Sequence, residues 1–523
     1  MSDFENAKVL VKQGWLQGYT DGKLKIFKGI PYAAPPVGAL RFRHPQDPGR
    51  WRGVRSAKEF GAAAIQHVMD ISNLPANVHG VPQMFARSHY EEDCLYLNIW
   101  SPAKTPDDKL PVFIWIHGGG MVAGSGVEVV CDGEGLAKRK DMIVVTINYR
   151  LGLFGFFAHP DLTAEAGGTS GNYALYDMRK ACQWVKENIA AFGGDPNNIT
   201  VAGQSGGAAG TGALHASPLM KGIIQRVSIE SGPIYWGFMQ PLPREEMERR
   251  GVEFMEQIGC KSIEELRQRD AWDLFDAYEK NSRGPMAFTF CVDGQFLPDT
   301  YTNIMDSGKF NDFDVLIGSC AQEFPVAGRD GLPLEEYYKY LEEAFPDNVE
   351  NMKKWYPAST PIEAAKQAST IASDIMLMGS IRIGQLCHKY GRRAYVWLMV
   401  KENETEQGRA FGCPHCAEMP YLFGRVDKGE RNPFADYHWV GKDYDFMELI
   451  QGYWYNFCKN GDPNGDNLPF WKQYTNDFDI CELGNDTNMI TDPEKQAKYA
   501  YYYNKLINKQ SISPIRLGTL ARI

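Results

Sequence analysis

The chain has 523 residues, 44% hydrophobic and 23% charged, enough to bury a large core in one big domain or in two to three average ones. Its formal net charge of −10 argues against a nucleic-acid role, since a phosphate polymer is held by clustered positive charge that displaces counterions. The 11 cysteines are scattered singly, an odd number without small-scaffold spacing, so free thiols are expected rather than a disulfide framework.

The N-terminal stretch "MSDFENAKVLVKQGW" has no basic segment followed by an apolar one of signal-peptide length. No later stretch stays apolar long enough to cross a bilayer, so a cytoplasmic protein is expected unless a leader has been removed. The first forty or so residues read as short strands and turns, with Thr20-Asp21-Gly22 as a hairpin signal between alternating apolar and polar residues. From residue 111 the texture changes to apolar runs, "PVFIWIHGGG", "DMIVVTINYR" and "NITVAGQS", with a helical pattern in "GNYALYDMRKACQWVKENIAAFGG". Short, continuously apolar strands alternating with helices indicate a mostly parallel sheet covered on both faces.

The strands resume in "IIQRVSIESG", "DVLIGSC" and "RRAYVWLMV". Between them, residues 243–258 and 262–279 read as amphipathic helices, the second with a capping box at Ser262 and Glu265, and residues 361–391 as one or two more. Without repeat or linker, the economical organisation is a single α/β domain, 1–523, with an N-terminal strand region and helical insertions near 240–290 and 330–392.

The chemistry begins in "ITVAGQSGGAAG". A serine hydroxyl attacks a carbonyl only when a base removes its proton and when it projects from the backbone. Gly-x-Ser-x-Gly between a strand and a helix achieves the projection through a turn too tight for side chains at its flanks, here Gly203 and Gly207 around Ser205. "WIHGGGMVAG" offers the complementary part: His117-Gly118-Gly119-Gly120 after an apolar strand can aim backbone N–H groups at an oxyanion.

With these two motifs the chain resembles the type-B carboxylesterase and lipase family of the α/β-hydrolase fold, which includes the cholinesterases. The likeness extends through "GIPYAAPPVGALRF", "EDCLYLNIW", "NYRLGLFGF", "FGGDPNNITVAGQSGGA", "VDGQFLPD" and "NFCKNGDPNG". It implies an oxyanion hole of Gly119, Gly120 and Gly206. It also implies an acid in "FDVLIGSCAQEFPVAG" at Glu323 and a base in "GCPHCAEMPYLFG" at His415, in the chain order serine, acid, histidine. His438 is the rival for His415 but lacks the family tail, and His117 is suited to bracing the oxyanion loop. Ser231 and Gln204 are expected beside the triad, and Arg41 with Glu92 and Arg150 with Asp177 as structural ion pairs. Cys413 and Cys416 form the closest cysteine pair, readable as metal or redox ligands or as ordinary packing residues.

The departures bear on substrate. Cholinesterases hold a quaternary ammonium on a tryptophan about ten residues before the cysteine of "EDCLYLN", a cation–π contact. Met84 stands there, and Gln204 replaces the glutamate that precedes their serine, so a choline ester is disfavoured. No cysteine precedes Cys94, so the bridge of secreted relatives is absent. The resemblance implies a serine carboxylic-ester hydrolase for small to medium neutral esters, using water and no cofactor or metal. Met121, Trp236, Phe238, Phe288 and Phe290 are candidate substrate-pocket walls. The alternatives are a feruloyl-type esterase, a lipase, or a non-catalytic family member of the kind that keeps the fold and loses the serine. The sequence specifies no oligomeric state.

Overall fold

Strands with no polar face are stable only where both faces are covered, and the chain buries its apolar runs accordingly. The computed structural model describes residues 2–66, 89–232, 235, 239–282, 284, 286–323, 331–402, 412–426, 439–475 and 478–509. They group into two compact units: one runs to Asp314 and includes Trp454–Asp462, and the other comprises Val315 to Tyr453 and the residues from Pro463 onward.

In the first unit seven strands run in the order Arg226–Glu230, Gly194–Gln204, Leu110–Ile116, Ile143–Ile147, Tyr96–Ser101, Lys25–Pro31 and Tyr19–Thr20. The first four pair in parallel, and the last three are joined antiparallel. Ile143–Ile147 is buried at every position, as is Gly194–Gln204 from Ile199 on. The register pairs Ile116 with Gly203 and Ile147, and Gln204 with Glu230, so the parallel strands end level with one another. His117, Asn148, Ser205 and Ser231 therefore follow neighbouring carboxyl ends, where open α/β sheets bind their ligands.

In the second unit the strand Asp314–Cys320, from Val315 on, runs parallel to Ala394–Met399 and that one to Ile480–Leu483, and Asn488–Met489 closes antiparallel. The 29-residue helix Pro361–Lys389 lies in this unit, opened by a capping box in which Thr360 and Glu363 satisfy each other's backbone N–H.

The hairpin at Thr20-Asp21-Gly22 forms, with the Asp21 carboxylate accepting from the N–H of Lys23 (2.9 Å) and Leu24 (2.7 Å). Residues 262–279 are two helices, Ile263–Gln268 and Ala271–Asn281, because the Asp270 side chain accepts from the N–H of Trp272 and Asp273 and starts the second. Ser262 caps the first, but the Glu265 carboxylate takes the Lys261 N–H, so the box is only half formed there. Residues 361–391 hold one helix. Both arginine–acid pairs are bidentate and buried: Arg41 meets Glu92 at 2.5 and 2.8 Å, and Arg150 meets Asp177 at 2.8 and 2.7 Å. Removing one partner of such a pair costs about 3–5 kcal/mol, although the intact pair is weak evidence of net stabilisation. Among the described residues no helix is long and apolar enough to cross a membrane.

Candidate active site

Ser205 sits between the strand Gly194–Gln204 and the helix Gly206–Ala216 with φ 58° and ψ −122°. A non-glycine residue holds such a backbone at a cost of about 1–3 kcal/mol, and only where its surroundings over-determine it. Here the over-determination is steric. A Cβ on Gly203 would lie 2.4 Å from the Gly207 carbonyl oxygen, and one on Gly207 would lie 2.1 Å from that of Ile116. The first turn of the helix is thus pressed onto the end of the neighbouring strand, which only glycine allows. Every residue of that helix is buried, which is why it is built of Gly, Ala, Thr, Leu and His. The Ser205 N–H donates to the Glu230 carbonyl at 2.9 Å, and its own carbonyl accepts from Ala209 at 3.0 Å.

The glycine triple lies against the serine. A Cβ on Gly118 would approach the Ser205 Cβ to 3.2 Å and the Gln204 Oε1 to 2.9 Å, and one on Gly206 would lie 2.8 Å from the backbone nitrogens of Gly120 and Met121. Gly119, Gly120 and Met121 all have positive φ, at 93°, 62° and 64°. Their loop is fixed from below: the Gly124 N–H donates to the Gln66 Oε1 at 2.7 Å, Ser125 to the Glu128 carboxyl at 2.8 Å and Gly126 to the Asn148 Oδ1 at 2.7 Å. His117 stacks on Tyr149, with centroids 4.3 Å apart, and contacts the Gly118 carbonyl through Nδ1 at 2.9 Å. Burial lowers the His117 pKa to about 4, so it is a neutral brace at physiological pH. Gln204 and Ser231 are buried beside the elbow, and the Ser231 hydroxyl has no hydrogen-bond partner among the described residues.

The structure brings a second set together. Glu323 and His415 are 92 residues apart, and the Glu323 Oε2 hydrogen-bonds the His415 Nδ1. The other Glu323 oxygen accepts from the Cys320 N–H at 2.6 Å, and its backbone N–H donates to the Ser373 hydroxyl at 2.7 Å. Burial opposes the charged imidazolium, but Cys416 and the Glu323 carboxylate outweigh it and hold the His415 pKa above its ordinary value. Behind them Glu418 is fully buried and accepts from the Cys320 thiol at 3.2 Å; burial, then the Glu323 charge, pushes its pKa up to about 7. Ser373, Gln322 and Cys320 were not marked out by the sequence. Ser373 lies inside a long helix, where nothing local signals its bond to the acid.

Met121 is buried, with its methyl close to Gly210 on the elbow helix. Phe288 packs against Phe157, Phe254 and Tyr278, and Phe290 edge-on against Phe156. Trp236, Phe238, Met84 and His438 lie outside the described residues. Among the described residues no group of three or more His, Cys, Asp or Glu side chains is placed to hold a metal ion.

A serine on a strained strand–helix turn, with a glycine loop over it and parallel strands ending beneath, defines an α/β-hydrolase. The carboxylesterase family model matches residues 5–502, and the chain belongs to that family. It is 32% identical to the fumonisin B1 esterase of Sphingopyxis macrogoltabida over 90% of this chain and 85% of that protein. It is 30% identical to the para-nitrobenzyl esterase of Bacillus subtilis (strain 168) over 95% and 99%. A solved PNB esterase structure superposes with a TM-score of 0.76 at 29% identity, covering 94% of this chain and 99% of that one. The protein is a carboxylic-ester hydrolase, acting on an ester and water.

Proposed function

We propose that the ester is cleaved through an acyl-enzyme on Ser205, with His415 as general base and Glu323 as its orienting acid. In this reading His415 takes the serine proton through Nε2 as the hydroxyl attacks the carbonyl carbon, then returns it to the leaving alcohol. Glu323, bonded at Nδ1, fixes the ring and stabilises its charged form. The N–H groups of Gly119, Gly120 and Gly206 receive the oxyanion; one such donor is typically worth about 10²–10³ in kcat. Water then repeats the cycle on the acyl group with the same base.

The observation that carries the reading is the Ser205 backbone, held at positive φ by glycines with Gly206 seated under the Gly120 and Met121 nitrogens. The preferred substrate in this proposal is a small to medium neutral ester, because Gln204 offers no charge to a cation. Met121 beside the elbow, with Trp236, Phe238, Phe288 and Phe290, supplies the candidate pocket walls. A cytoplasmic site of action belongs to the same proposal, supported by 11 cysteines that all stand as free thiols, ten of them buried.

The test is a rapid-mixing experiment on p-nitrophenyl esters of increasing acyl length, with an acylcholine alongside. A burst of p-nitrophenol equal to the enzyme concentration, and turnover of neutral esters well above that of the acylcholine, is the expected result. No burst, with linear release from time zero for every ester, would count against the acyl-enzyme; faster turnover of the acylcholine would count against the neutral pocket.

A further inference from the structure

The acid and the histidine lie on separate loops, and one side chain ties those loops together. Gln322, the residue before Glu323, forms an isolated parallel bridge with Pro414, the residue before His415. A single bridge supplies little of a ladder: the Gln322 N–H donates to the Cys413 carbonyl at 3.0 Å. A side chain adds to it, because the Gln322 Oε1 accepts the Cys413 N–H at 2.6 Å. Its Nε2 is anchored in turn, donating to the Thr370 hydroxyl at 3.0 Å, while Thr370 donates to the Lys366 carbonyl at 2.9 Å in the helix Pro361–Lys389.

The residue facing the amide is a glycine in the left-handed region, and a side chain there would press on the clamp. Gly412 has φ 69°, and a Cβ there would lie 2.3 Å from the Gln322 Oε1. On its far side Gln322 borders a cavity of about 310 Å³, together with Lys366, Thr370 and Glu402. Two hydrogen bonds, from the Cys413 N–H and to the Thr370 hydroxyl, fix the amide there.

We infer that Gln322 is a positioning residue: its amide clamps the Cys413 backbone to the acid loop and so sets the register of the Glu323–His415 bond. This rests on the proposed roles of Glu323 and His415. Misplacing a catalytic group by about 1 Å can cost 10²-fold in rate, so a clamp one residue from the acid and two from the base acts through kcat rather than through substrate binding. The titratable groups acting on His415 include Glu323, Cys416 and Glu418, with Cys320 and Cys413 behind Glu418; the Lys366–Glu402 ion pair borders the amide, and the clamp itself carries no charge.

The test compares Gln322→Met, which keeps length and removes both hydrogen bonds, with Gln322→Glu, which keeps an acceptor for the Cys413 N–H. The expected result for Gln322→Met is a kcat about tenfold lower, a KM within about twofold, and an acidic limb of the kcat/KM profile moved to lower pH as His415 loses its aligned carboxylate. Gln322→Glu should recover most of kcat. Gln322→Ser serves as the second variant if methionine is not accommodated. A kcat within twofold of the parent in Gln322→Met, or a loss of kcat with the acidic limb unmoved, overturns the clamp. His415→Ala is measured alongside: if it retains activity, the assignment of the base has failed; if it is inactive while Gln322→Met is unaffected, only the clamp has.

Discussion

The surroundings of Ser205 and those of Glu323 and His415 are held in opposite ways. Around Ser205 the constraint is the absence of atoms: Gly203, Gly206 and Gly207 leave no room for a Cβ, and backbone packs on backbone. Around Glu323 and His415 it is the presence of atoms: Cys320, Ser373 and Gln322 hold the two loops through placed hydrogen bonds. The Ser205 region should therefore fail when something is added, and the Glu323–His415 region when something is taken away.

The largest effects test the reacting groups themselves. Ser205→Ala should abolish ester hydrolysis and leave the fold intact, since alanine occupies the turn without the hydroxyl. His415→Ala should be nearly as damaging, by about 10⁴–10⁶ in kcat, and the double variant little worse, because triad members act as a unit. Steady-state kinetics on the three proteins, with circular dichroism to show folding, checks this; independent, multiplying losses would indicate a different base.

Next comes an addition to the steric side. Gly207→Ala puts a methyl where the Ile116 carbonyl stands, 2.1 Å away, so strand and helix must part. Overpacking of this kind costs about 1–3 kcal/mol and here also displaces Ser205 from its strained turn. Thermal unfolding should show a lowered Tm, and kcat should fall more than KM rises. A variant of unchanged Tm and kcat would show that the turn has slack.

A smaller effect is expected from charge beside the serine. Gln204→Glu should stabilise the His415 imidazolium, raise its apparent pKa by about half a unit to one unit, and move the acidic limb of the kcat/KM profile to higher pH, since the base must be neutral to act. A limb that stayed or moved down would place Gln204 beyond electrostatic reach of the base. The smallest shift belongs to Glu418→Gln. Burial, then the Glu323 charge, pushes the Glu418 pKa up to about 7, so it carries only part of a charge along the acidic limb and the neutral amide should move that limb down by only a few tenths of a unit. A shift of a full unit would mean that Glu418 is ionised there.

The same contrast explains what was legible in the sequence. The elbow is contiguous: Gly203, Ser205 and Gly207 carry their steric reason within five residues, and the oxyanion glycines follow a recognisable strand. Glu323 and His415 could be named only through the resemblance, because two loops 92 residues apart carry no local sign that they meet. Gln322 and Ser373 carried no sign at all, since a glutamine beside an acid and a serine in a helix are common. Among the helices, Thr360-Pro361 announced the helix at 361, and the structure adds Glu363 to complete its cap. The break before Ala271 depended on Asp270 acting as a cap inside an unbroken apolar pattern, where periodicity ran straight through it.

The most direct measurement is intact-mass analysis of the protein titrated with a fluorophosphonate, followed by peptide mapping. One adduct per chain should form, on Ser205, with esterase activity falling in proportion to labelling, and His415→Ala should label far more slowly. An adduct on another residue, or full activity in fully labelled protein, would contradict the nucleophile on which the mechanism stands.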